Sequence, residues 1–179
     1  MKLLNPTKKL KELVEKVMQS FRDDLGKEMT DQGHRNTGAL LDSLEIRIVP
    51  SSNGFKGELW WLPYGEILDQ GVKAKRIPFG GKTGAKTSEY ITRLIDYFQG
   101  KGLQSREAKN AAFATANKQK REGMPTRESY AHSGNGRRTG MLTRTAQIGE
   151  IKAIRLIANQ GATGIEIEML KNIEGAFAA

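Results

Sequence analysis

Leu10, Leu13, Val14, Val17, Met18, Phe21, Leu25 and Met29 recur at spacings of three and four, the strongest periodic signal in the chain. That spacing gathers one apolar stripe on a helix, so it predicts an amphipathic helix over roughly residues 6 to 29. Asn5 and Pro6 suit its start: the amide caps the first turn, and proline takes the first helical position, where no donor is needed. The stripe is expected to pack on a sheet of the same protein.

Thr30 to Asn36 is polar and breaks the period, and Thr37 to Leu44 reads as a short helical turn leading into a strand. Glu45 to Val49 alternates, Pro50 to Gly54 supplies turn residues, and Lys56 to Leu62 resumes with aromatic and aliphatic residues. Residues 45 to 62 are therefore expected to form a hairpin. Tyr64 to Gln70 follows as a short helix closed by Gly71, a residue that tolerates the left-handed cap conformation.

Val72 to Lys86 has basic residues, glycines, Pro78 and no apolar period, which predicts an exposed loop. Ser88 to Phe98 returns to helix, with Ile91, Leu94, Ile95 and Phe98 on one face. Ser105 caps the next predicted helix, which ends before Gly123 and Pro125 and has a small inner face of Ala108, Ala111, Ala112 and Ala116 beside Phe113. Thr126 to Thr145 is nearly devoid of apolar residues and predicts a long flexible loop. Ile148, Ile151, Ile154 and Ile157 indicate a helix; Ile165, Met169, Leu170, Ile173 and Phe177 suggest a last one, with a strand over Ile165 to Glu168 as the alternative.

The expected class is α+β: a long N-terminal amphipathic helix, a small antiparallel sheet with a hairpin, several further helices and long basic loops. Residues 1–125 form the core domain in this scheme, and 126–179 add a basic loop and C-terminal helical extension to the same domain.

Composition narrows the chemistry. The 179 residues contain no cysteine, which removes disulfides, thiolate nucleophiles and cysteine-based metal sites and suits a reducing cytoplasm. No stretch reads as a signal peptide or approaches the roughly 20 apolar residues of a membrane span. Net charge is +9, and Lys101 to Thr145 alone holds ten cations against three anions, a local +7. Such a field attracts polyanions, either nucleic acid or an acidic protein surface, and a merely solvated basic face is the plain alternative.

Candidate catalytic and cofactor motifs fall away on inspection. Gly81-Lys82-Thr83 lacks the glycine that a phosphate loop places five residues earlier, where Arg76 stands. Gly134-Asn135-Gly136-Arg137-Arg138-Thr139-Gly140 has a displaced glycine and no leading strand, so a basic loop is the better account. His34 and His132 lie in separate polar segments without ligand-spaced partners. Glu66 and Asp69, at i and i+3, can share one helix face and meet basic residues of a loop or neighbour, with an ion pair favoured over a metal pair. Trp60-Trp61 could stack nucleic acid bases, but adjacent strand residues point to opposite faces, which favours one core and one contact residue. No cofactor, metal or enzymatic activity is expected.

Two short motifs remain: Thr37-Gly38-Ala39-Leu40 with Leu44, and Leu62-Pro63-Tyr64-Gly65-Glu66-Ile67-Leu68-Asp69-Gln70-Gly71 one hairpin later. In order and spacing, roughly residues 6 to 121 resemble the neck and tail-completion proteins of tailed bacteriophages, which join the filled capsid to the tail. The resemblance implies a homo-oligomeric ring beneath the portal, with portal-side adaptor and tail proteins as partners, DNA in the lumen and no membrane. It implies location in the virion neck, with the host cytoplasm as the site of assembly. Lys73, Lys75, Arg76, Lys118, Lys120, Arg121, Arg137, Arg138 and Arg144 are the candidate contacts to partner proteins or DNA. Trp60, Tyr64, Glu66 and Asp69 are the candidate subunit contacts. A small basic nucleic-acid-binding protein is the alternative.

Overall fold

In the computed structural model, which describes residues 6–34, 37–52, 54–80 and 88–159, the chain is α+β: helix-rich, with one two-stranded antiparallel sheet. It divides into two compact units, one formed by Met1–Gly65 with Gly140–Ala179 and the other by Glu66–Thr139.

In the first unit, helix α1 (Pro6–Asp31) buries Leu13, Val17, Met18, Phe21, Leu25 and Met29, the stripe that its spacing predicts. A short helix α2 (Ala39–Asp42) buries Leu40 and leads into β1 (Glu45–Ser51), which pairs with β2 (Gly54–Trp60) from Glu45 opposite Trp60 to Ser51 opposite Gly54. The register sets Ile46 opposite Leu59 and Ile48 opposite Gly57. Gly57 leaves room that the Met18 side chain of α1 fills, so the helix lies close against the hairpin. Helix α6 (Met141–Asn159) packs along α1 through Met141, Thr145, Ala146, Gly149 and Ala153, all buried.

The second unit holds most of α3 (Tyr64–Gln70), a 3-10 turn (Ala74–Arg76), α4 (Glu89–Gly100), α5 (Ser105–Glu122) and a second 3-10 turn (Arg127–His132). Its core combines Ile77, Phe79, Ile91 and Ala116 with Val72, Leu94, Phe113 and Met124. Gly71 closes α3 at φ 72°, as the cap position requires. Val72 and Met124 form an isolated antiparallel bridge with N···O distances of 2.6 and 2.7 Å.

Three local expectations need correction. Ile77 and Phe79 are core residues although the segment from Val72 reads as an exposed loop: two side chains with polar and proline neighbours give no period, yet they anchor the chain under α4 and α5. The stretch from Thr126 is ordered into the second 3-10 turn, a turn in which Ser133 Oγ and Asn135 Oδ1 accept from the Arg137 amide, and the start of α6 at Met141. Helix α5 is capped by Gln104 instead of Ser105, with Glu107 Oε2 accepting from the Gln104 amide at 3.3 Å. Asn5, the Gly81-Lys82-Thr83 motif and the segment from Ile165 lie outside the described residues. No helix among the described residues is long and apolar enough to cross a membrane.

Candidate functional site

The second unit concentrates charge. Between Glu66 and Thr139 the sequence has fifteen lysines and arginines against seven carboxylates, so this unit carries +8 of the chain's +9. The rest of the chain is nearly neutral.

Folding brings two cationic segments of that unit together. Lys73, Lys75 and Arg76 stand exposed on the first 3-10 turn, which packs against α5, the helix whose last turns carry Lys118, Lys120 and Arg121. Lys120 Nζ donates to the Ile77 carbonyl oxygen at 3.2 Å, a bond across 43 positions of sequence. Gly123 at φ 87° completes the join, because a Cβ there would stand 2.5 Å from the Val72 carbonyl oxygen and 3.1 Å from the Ala74 nitrogen. Cations at the end of α5 also offset the partial negative charge of its last carbonyls.

Not every basic residue belongs to that cluster. Lys118 pairs with Glu128, whose carboxyl is held below its ordinary range by the hydrogen bond from Lys118 and then by its charge. Arg137 is exposed on the Ser133 turn. Arg138 is half-buried; burial lowers its guanidinium from the ordinary range, opposed by the charges of Tyr97 and Tyr130. Arg144 belongs to the first unit, where it binds Glu28 through Nε and Nη2 at 3.0 Å and ties α6 to α1.

The candidate subunit contacts separate by environment. Trp60 is half-exposed on the outer face of the hairpin, with the Arg47 guanidinium 4.7 Å from its ring centroid and its Nε1 donating to Glu58 at 3.2 Å. Arg47 in turn donates from Nε to Glu45 at 2.8 Å, which raises the guanidinium and lowers the Glu45 carboxyl from their ordinary ranges. Trp61 is half-buried against Gly65, where a Cβ would come 2.8 Å from the indole. Tyr64 and Glu66 are exposed, whereas Asp69 is only 5% exposed. Glu66 and Asp69 therefore do not present a common surface, and among the described residues no ion pair joins Glu66 to a base.

An apolar surface absent from these candidates lies on α6. Ile148, Ile151 and Ile154 are 50%, 54% and 54% exposed, while the buried positions of the same helix are mostly small. Their spacing carried the signal: a strict three-residue beat drifts by about 60° per step around a helix, so it diverges from any stripe that a partner buries in a 3.6-residue period. Leu62 belongs with Trp60 and Tyr64 to an exposed apolar series of the first unit, and Ile67, also exposed, stands in the second.

Among the described residues no three His, Asp or Glu side chains converge as metal ligands. His34 is half-buried, with Nε2 3.1 Å from Gln32 Oε1, and His132 is exposed at the end of the second 3-10 turn. No protein family, curated protein or solved structure matches the chain.

Proposed function

We propose that this chain is a structural virion protein of a tailed bacteriophage: a ring-forming neck subunit, of the head-tail connector or tail-completion kind, that joins portal-side proteins to the tail. Its surfaces serve contact and not catalysis. The observation that carries the proposal is the exposed isoleucine row on α6, opposed on the same helix by a face of small residues packed on α1. A second apolar series runs from Trp60 through Leu62 and Tyr64. Closed rings are built from head-to-tail contacts, so each subunit needs two different adhesive surfaces. Exposed apolar residues that adjoin one another, unlike scattered single ones, mark contact sites. The layout of Thr37-Gly38 before the hairpin and Tyr64 to Gly71 after it supports the same assignment.

In this role the protein resides in the virion neck and is assembled in the host cytoplasm. Deleting its coding sequence should give DNA-filled heads and separate tails, restored to joined particles by supplying the protein in trans. Normal yields of infectious particles after deletion would refute the assignment.

A further inference from the structure

We infer that the exposed cations Lys73, Lys75, Arg76 and Arg121, carried on two segments that pack together, form a binding site for the phosphate backbone of duplex nucleic acid, without base readout. All four side chains are exposed, and among the described residues no carboxylate pairs with any of them. The carboxylates next to them in sequence on α5 and the second 3-10 turn are engaged elsewhere: Glu122 accepts from the Arg127 amide at 2.9 Å, and Glu128 pairs with Lys118. The face is also fixed in place. The Lys120 to Ile77 bond, the Val72–Met124 bridge and the burial of Ile77 and Phe79 anchor the turn to α5. Little conformational entropy is then lost from the backbone when the site is occupied.

The composition of the face selects among polyanions. Residues 73–76 and 117–121 contain no apolar side chain larger than that of Ala74. A stable protein interface draws its energy from buried aromatic or aliphatic anchors, which this face lacks, whereas a phosphate backbone is held by cations and counterion release alone. The same residues include no aromatic on which unpaired bases could stack, which favours a duplex over a single strand.

The site is independent of the neck assignment, and its test uses the isolated full-length protein, so each proposal fails or stands on its own measurement. Fluorescence anisotropy would follow binding to two fluorescein-labelled duplexes of about 30 base pairs and unrelated sequence, across about 50 to 200 mM salt. Both duplexes should bind alike, with log affinity falling linearly in log salt. The variant Lys73→Ala/Lys75→Ala/Arg76→Ala should lose roughly 100-fold in affinity near 0.1 M salt and reduce the salt slope by about 2.7, three contacts at about 0.9 each. Lys8→Ala/Lys11→Ala/Lys16→Ala removes the same charge from α1 and should change affinity less than about threefold.

No duplex binding at low salt would overturn the inference, as would equal losses in the two variants, which would reduce the effect to net charge. A preference of more than about tenfold between the duplexes would contradict backbone-only binding. Polyglutamate binding as tight as the duplex would point instead to an acidic protein partner and also overturn it.

Discussion

A Cβ placed on Gly149 of α6 would stand 3.0 Å from Cδ2 of Phe21 on α1, so the two helices meet where one of them has no side chain. Close approach on this side is what leaves the large isoleucines of α6 on the other. The helix is two-faced, small residues inward and branched apolar ones outward, and the outward face is the one that the proposed assembly contact would use.

Ile151→Glu tests that second contact. Ile151 is 54% exposed, so its replacement should leave folding stability within about 0.5 kcal/mol of the parent. A charge in an apolar interface should nevertheless abolish self-association, measured by sedimentation over a concentration series beside a thermal melt. Loss of melting temperature together with association would assign Ile151 to the core.

Gly123→Ala should destabilise the protein more than Gly102→Ala. Both glycines have positive φ, 87° and 93°, which costs any side chain about 1 to 3 kcal/mol. Only at Gly123 would the new methyl also meet main chain, the Val72 carbonyl oxygen at 2.5 Å, while at Gly102 it meets nothing within 4 Å. Chemical denaturation of the two variants would rank them, and equal costs would show that the turn yields freely.

The partly buried pair Glu28–Arg144 should matter where exposed pairs do not. Its hydrogen-bonded contacts of 3.0 Å join α1 to α6, and a double-mutant cycle should report coupling of about 1.5 kcal/mol or more. Lys8–Glu12, at 4.0 Å and largely in solvent, should give about 0.3 to 0.5 kcal/mol.

Much of this architecture was legible because single elements announce themselves. The three-and-four spacing from Leu10 to Met29 needs no tertiary information to read as a buried stripe, and the segments on either side of Pro50 to Gly54 read as a hairpin, although Pro50, Ser51 and Gly54 themselves pair within its strands. Ile77 and Phe79 were not legible, because the residues that bury them come from α4 and α5 far along the chain. The start of α6 was hidden for a related reason. Thr145 is buried and satisfied by donating its hydroxyl to the Met141 carbonyl at 2.8 Å, so a polar residue does the packing that an apolar one would have advertised. Basic residues 73–76 and 118–121 were each visible as candidates, but the packing of their two segments against each other is a product of the Val72–Met124 bridge and the Lys120 bond to Ile77.

The Lys118–Glu128 pair gives a pH dependence of defined sign. The folded-state pKa of Glu128 is depressed, so the pair's contribution is present above the ordinary carboxylate range and is lost as pH falls through the lowered value. A carboxyl NMR titration should place the Glu128 midpoint below that range and return it there in Lys118→Met. An unchanged midpoint in the variant would mean that another group sets it.

Imaging the virion neck with this protein labelled tests the central proposal most directly. The account predicts several identical copies arranged as a closed ring at the junction of head and tail, present in every joined particle. Joined, infectious particles without the protein at that junction would contradict it.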